Sequence, residues 1–169
     1  MRKARPAAFS PMQIRLHWIV AALVVFQFLF NAPMRWTWEA QQRGEDPGFS
    51  LLAWLHVATG LLIGLLVIWR IVLRFTHGAP GPISPLDTGE KSLAQFVATE
   101  TQVFLLFALF VVPASGAVAW FKGIPLAGAL HADLKLLILA LVGVHVLGAL
   151  AHKFVLRDGL MERMRLPRD

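Results

Sequence analysis

Four long apolar stretches dominate the pattern of hydrophobic and polar positions along the chain. They cover residues 14–30, 51–71, 96–120 and 130–156. The length of each stretch falls within or above the roughly 17–25 residues that a helix needs to cross a bilayer. Apolar residues run through each stretch without the alternation that strands of a membrane barrel would show. The pattern predicts an all-α fold, a transmembrane four-helix bundle that forms one domain over residues 1–169.

Basic residues predict the orientation of this bundle. Twelve of the 16 lysines and arginines flank the N-terminus, the connection between the second and third stretches, or the C-terminal tail. Only Arg35, Arg43, Lys122 and Lys135 fall on the other side. Because cytoplasmic loops of membrane proteins are enriched in lysine and arginine, we expect both termini to be cytoplasmic.

Composition narrows the function classes. Hydrophobic residues make up 57% of the chain, charged residues 15%, and the mean hydropathy is +0.62. These values exclude most soluble enzymes. The net charge of +6 is explained by basic loops on a membrane protein, so no nucleic-acid partner is expected. The absence of cysteine excludes disulfides, iron–sulfur clusters and covalently attached c-type haem.

Histidines are the candidate cofactor ligands. Of the six, His77 falls in a connection, where a solvated role is expected, and the other five lie in or at the ends of the apolar stretches. Ionisable residues inside spans are rare and usually functional. His145 and His152 are seven residues apart, which puts them on one helix face, roughly 10.5 Å apart along the axis. Two such ligands predict two cofactors at two depths of the bundle.

Depth along the antiparallel spans predicts a partner for each of these ligands. His17 lies near the start of the first stretch and His152 near the end of the fourth, so these two are paired. By the same argument His56 is paired with His145. Two bis-histidine pairs are typical of haem iron with two axial imidazoles. Zinc is disfavoured because it prefers four ligands in a tetrahedron, and copper or another metal is a weaker alternative.

Glycines and arginines near these histidines have two interpretations each. Small residues leave room for a flat macrocycle, or they let helices pack closely; the glycines concerned are Gly60, Gly64, Gly143 and Gly148. Arg70 and Arg74 are suited to haem propionates or anionic headgroups, or serve only as cytoplasmic anchors.

Several segments together resemble the prokaryotic cytochrome b561 family over nearly the whole chain. The histidine order and spacing carry this resemblance, in the segments I14-R-L-H-W-I, L55-H-V-A-T-G-L-L-I-G, W69-R-I-V-L-R-F, V112-P-A-S-G, H131-A-D-L-K-L-L and V144-H-V-L-G-A-L-A-H-K-F. The resemblance implies four helices, two b-type haems and quinone-linked electron transfer in the bacterial inner membrane. It assigns the axial ligand role to His17, His56, His145 and His152.

The function expected from this resemblance is electron transfer between a periplasmic-side donor and the quinone pool. Superoxide is the candidate donor, because one activity of the family is superoxide oxidation, and ubiquinone is the expected acceptor. His131 and Lys135 would attract an anionic donor by electrostatic steering, although His131 is equally suited to cap the fourth helix. Glu100 is a candidate proton acceptor or an interhelical hydrogen-bonding group.

Two alternatives stay open, and one departure limits the comparison. The chain could be a haem-bearing membrane anchor for a partner dehydrogenase or periplasmic carrier, or a non-redox membrane protein. Some family members carry histidine early in the third helix, where this chain has Gln95, Glu100 and Gln102. A substrate or quinone role assigned to such a histidine therefore does not transfer.

Overall fold

The computed structural model describes residues 6, 8–80, 93–157 and 159–166, with side chains of residues 93–99 left aside. Several residues used in the orientation argument and in the comparison of the third helix lie outside the described residues or side chains: Arg2, Lys3, Arg5, Lys91, Gln95 and Arg168. The cytoplasmic location of the termini therefore stays a prediction.

Five α-helices make up the fold, and no β-strand occurs in the part of the chain that the structure describes. They are α1 (Pro11–Leu29), α2 (Ala32–Gln42), α3 (Leu51–His77), α4 (Leu93–Lys122) and α5 (Pro125–Ala151). A π-helical segment, His152–Leu156, continues α5, and a short 3₁₀ helix, Leu160–Met164, follows it. The helices α1, α3, α4 and α5 are long and apolar enough to cross a membrane, which confirms the predicted all-α fold with four spans.

Two differences from the predicted spans matter for the site. The sequence pattern placed the start of the fourth span at about residue 130, whereas α5 begins at Pro125. Proline is favoured in the first helical turn because its missing N–H has no partner there in any case. The polar connection after the first span also contains α2, a short helix that the apolar pattern did not reveal.

The start of α1 is fixed by a capping box. Ser10 Oγ accepts a hydrogen bond from the Gln13 backbone N–H, and Gln13 Oε1 accepts one from the Ser10 backbone N–H. These bonds satisfy N–H groups that the helix itself cannot pair. Gln13 Nε2 also donates to the carbonyl oxygen of Gly78, at 3.0 Å, just after α3 ends. One residue therefore both starts α1 and ties it to the end of α3.

Contacts between helix ends show that neighbouring spans run antiparallel. The start of α1 meets the end of α3 through Gln13, and the Trp54 ring near the start of α3 lies 5.6 Å from the Trp120 ring near the end of α4. We call the side with the start of α1 and the end of α5 the termini side, and the opposite side the α2 side. The depth of a residue can therefore be counted from the end of its helix that lies on one of these two sides.

Apolar residues fill the bundle and also cover its outside. The buried core consists of Val20, Val24, Ile63, Val67, Ala108, Leu109, Val112 and Ile138. Large apolar side chains on the outward faces are exposed, including Leu65 and Phe107. In a membrane protein such faces contact lipid, so packing between helices, rather than exclusion of water, distinguishes inner from outer positions.

Val67 is the most completely buried core residue, and we expect Val67→Ala to destabilise the bundle by roughly 1–3 kcal/mol, because a cavity replaces its methyl contacts. Val72 offers a matched control on the same helix, because it is half exposed on an outward face. Val72→Ala should change the free energy of unfolding by less than about 0.5 kcal/mol. Reversible unfolding in mixed detergent micelles would measure both, and equal losses would contradict the assigned core.

Candidate functional site

Four histidines form two facing pairs at different depths of the bundle. The ring centroids of His17 on α1 and His145 on α5 are 6.0 Å apart, with ring planes at 59°. Those of His56 on α3 and His131 on α5 are 6.2 Å apart, with ring planes at 75°. Helix α5 thus contributes one ring to each pair, 14 residues apart and about 21 Å along its axis.

Helix boundaries explain why these residues meet. His17 is six residues into α1, and His145 is six residues before α5 ends at Ala151. On the α2 side, His56 is five residues into α3 and His131 six residues into α5. Because the rise per residue is the same in every α-helix, each pair lies at a common depth.

This arrangement departs from the pairs predicted from the sequence. Those were His17 with His152 and His56 with His145, whereas His17 faces His145 and His56 faces His131. The prediction began the fourth span at about residue 130 and so placed His131 at the membrane surface. Since α5 begins at Pro125, His131 lies more than one turn inside the helix. His152 lies where α5 passes into the π-helical segment, seven residues beyond His145.

The His131 ring is held through its Nδ1 atom. Nδ1 lies 2.9 Å from the carbonyl oxygen of Val112 on α4. A carbonyl oxygen only accepts hydrogen bonds, so His131 Nδ1 donates and Nε2 keeps its lone pair. Gly116 leaves room for this ring, because a Cβ atom there would lie 2.8 Å from both Cε1 and Nδ1 of His131. Sequence analysis did not identify Val112 or Gly116 as part of the site.

A cavity of about 210 Å³ lies beside the His56–His131 pair. All five α-helices contribute to its wall, which is mostly apolar. Its charged lining residues are Arg35 on α2 and Lys135 on α5. The site on the α2 side is therefore an apolar space with two imidazoles and two nearby cationic side chains.

The pair on the termini side has a different polar neighbour. Arg70 Nη2 on α3 lies 3.3 Å from His17 Nδ1, and Arg74 follows Arg70 by one helical turn. Among the described residues, the ion pairs are Arg35 with Glu39 and Arg43 with Glu45, so Arg70 has no carboxylate partner there. Its partly buried guanidinium is available to an anionic group beside His17.

The glycines singled out from the sequence fall into two classes. A Cβ atom on Gly143 or Gly148 would meet no other atom within 4 Å, so open space adjoins α5 on both sides of His145 in the sequence. Gly60 and Gly64 instead allow close contacts, because added Cβ atoms would lie 3.2 Å from Gln27 Nε2 and 3.7 Å from Pro113 Cβ. Small-residue packing therefore accounts for Gly60 and Gly64.

The remaining candidates lie away from the facing pairs. His77 is exposed at the end of α3, where its Nδ1 is 2.9 Å from Thr76 Oγ1. Glu100 is half-buried on α4. Within the described ranges, no group of three or more histidine, cysteine, aspartate or glutamate side chains could hold a metal ion. Among the described residues, the side chains placed to bind a metal ion are therefore the two imidazoles of each facing pair.

Comparison with known proteins shows the family of the chain. The family model described as prokaryotic cytochrome b561 matches residues 8–166. The chain is 34% identical to cytochrome b562 of Cereibacter sphaeroides, over 95% of this chain and 96% of that protein. It is 27% identical to the probable superoxide oxidase CybB of Yersinia pestis, over 92% of this chain and 94% of that protein. The chain belongs to the prokaryotic cytochrome b561 family of membrane cytochromes, and this membership implies haem b as its cofactor.

Proposed function

We propose that the protein is a di-haem b cytochrome that carries electrons between the two sides of a bacterial inner membrane. His17 and His145 would hold one haem iron, and His56 and His131 would hold the other. The spacing of the rings supports this assignment. An imidazole nitrogen binds a metal ion at about 2 Å, and the ring centroid lies about 1 Å further back. Opposed axial rings therefore have centroids about 6 Å apart, as both pairs do.

Two further observations support a haem on the α2 side. The hydrogen bond from His131 Nδ1 to the Val112 carbonyl leaves Nε2 free for iron, as is usual for metal-bound histidine. The cavity beside the rings is apolar and is lined by all five helices. When bound, haem supplies one-electron redox chemistry, and the protein sets its potential through axial ligands, burial and hydrogen bonds.

The protein side chains have separate tasks in this proposal. The four imidazoles would hold iron at two depths, and the apolar core would keep water away from both iron atoms. Arg70 beside His17 would bind a haem propionate, because a guanidinium pairs with a carboxylate through two parallel hydrogen bonds. The open space beside Gly148, about one helical turn after His145, would admit the edge of a macrocycle.

We further propose superoxide as the electron donor and ubiquinone as the acceptor. The donor assignment is supported by Arg35 and Lys135, which line the cavity beside His56 and His131 and would steer an anion toward it. It is also supported by similarity to a protein named as a probable superoxide oxidase. Supply of electrons by a partner dehydrogenase or carrier is the competing source.

The ligand assignment predicts two haems per chain and a specific pattern of loss. His17→Ala and His145→Ala should each remove the same haem, and His56→Ala and His131→Ala should each remove the other, because one imidazole holds iron weakly. A pyridine haemochrome assay on purified protein would count haem, and redox titration of the α-band would identify which haem remains.

His152→Ala is the matched control, because His152 begins the π-helical segment that continues α5, the helix of His131 and His145. It should keep both haems. Loss of a haem in this variant, together with retention of both in His131→Ala, would favour the pairing predicted from the sequence. A colourless wild-type protein would reject the electron-transfer function.

Gly116→Ala tests the role of the glycine behind His131. The added methyl group would lie 2.8 Å from the ring, so the ring must shift away from the Val112 carbonyl. We expect haem affinity at the α2 side to fall by about 10- to 100-fold, as for other losses of ligand support. Haem titration of the apoprotein would measure this, with Gly143→Ala as a control on the termini side, and equal affinities in wild type and Gly116→Ala would contradict it.

Lys135→Gln tests electrostatic steering of an anionic donor. Removing this charge should slow haem reduction by superoxide by roughly three- to tenfold at low ionic strength, and the difference should shrink with added salt. Lys122→Gln is the matched control, because Lys122 is exposed on the same side and does not line the cavity. Stopped-flow absorbance would measure the rates. Equal slowing by both variants would argue against steering of the donor by Lys135.

A further inference from the structure

We propose that Gln27 is a positioning residue for His56: its Oε1 atom accepts the hydrogen bond that His56 Nδ1 donates when Nε2 binds haem iron. This inference rests on the proposed axial role of His56. It adds a specific hydrogen-bond partner on α1 for a ligand on α3. The consequence is a measurable effect of Gln27 on the potential of one haem.

Contacts with α3 fix the orientation of the Gln27 amide. Its Nε2 atom lies 2.9 Å from the His56 carbonyl oxygen and 3.1 Å from Thr59 Oγ1. The Thr59 hydroxyl donates to the carbonyl oxygen of Leu55, at 2.6 Å, so its oxygen is available to accept from Gln27. Both amide hydrogens are thus used, and the nitrogen end must face α3. Oε1 is left as the acceptor end.

Two buried atoms at this place lack partners among the described residues: Gln27 Oε1 and His56 Nδ1. Both side chains also line the same cavity. One atom is an acceptor and the other becomes a donor once His56 takes the tautomer that leaves Nε2 free for iron. A buried polar atom without a partner costs free energy, so a hydrogen bond between these two atoms would remove both costs.

Gly60 leaves room on α3 for the side-chain amide of Gln27. It lies one turn after His56, and a Cβ atom there would be 3.2 Å from Gln27 Nε2. A larger residue would press the amide away from α3. The glycine and the two hydrogen bonds therefore hold the Gln27 side chain in a defined position on α1.

The opposite ring has the corresponding interaction. His131 Nδ1 donates to the Val112 carbonyl, so that ring already has a fixed tautomer and orientation. Gln27 would give His56 the same kind of support. An acceptor at Nδ1 makes the imidazole a more basic ligand. A more basic ligand stabilises oxidised iron and lowers the reduction potential of that haem.

Redox titration of the purified holoprotein, with both haems followed by their α-bands, tests this proposal. Gln27→Leu removes the acceptor without adding charge. We expect the reduced-to-oxidised ratio of the His56–His131 haem at a fixed ambient potential to rise about tenfold, which equals 59 mV for one electron. Gln27→Glu restores an acceptor and should give a potential at or below that of wild type. The His17–His145 haem is the internal control and should not change.

Low-temperature electron paramagnetic resonance gives a second readout, because the g values of a bis-histidine haem depend on ligand basicity and ring orientation. Gln27→Leu should shift only the signal of the His56–His131 haem. An unchanged signal and potential in Gln27→Leu would overturn the inference, as would equal shifts of both haems or an equal rise in both variants. The proposed function fails separately, if wild type lacks two haems or if His56→Ala keeps both.

Discussion

The need to pair polar groups inside an apolar bundle controls the arrangement of this molecule. Imidazole, amide and guanidinium groups buried away from water must find partners within the protein or its ligands. Gln13, Gln27 and Arg70 each reach across to a neighbouring helix for that reason. Because lipid chains are as apolar as the core, burial of apolar groups alone does not set the helix register. The polar contacts and close packing set it, and thereby set the depths at which histidines meet.

Proline and glycine place the helices where those contacts need them. Pro125 starts α5 early enough to bring His131 to the depth of His56. Pro113 lies inside α4, directly after the carbonyl group that accepts from His131. Gly116, one turn after Val112, leaves the space in which that ring lies. Residues that usually end or weaken a helix therefore form the support of one imidazole.

The sequence was sufficient for the class of fold. Uninterrupted apolar stretches predict spans reliably, because no other element satisfies the backbone in lipid. The partners of the histidines were harder to predict, because depth depends on where each helix begins. Gly123 and Pro125 were a usable signal for the start of α5, but the apolar pattern placed it near residue 130. The contact of His131 with Val112 and that of Gln27 with the His56 carbonyl join different helices, and a linear pattern does not contain such contacts.

The geometry of α5 explains why its two histidines meet different helices. Fourteen residues at about 100° each leave His131 and His145 roughly 40° apart around the axis. The two rings therefore point in slightly different directions, and His131 meets α3 whereas His145 meets α1. His152 would nearly share the face of His145, but regular α-helix ends at Ala151 and a wider π-helical turn follows. The helix thus presents two imidazoles in regular geometry, one opposite the histidine of α1, which runs antiparallel to α5, and one opposite the histidine of α3, which runs parallel to it.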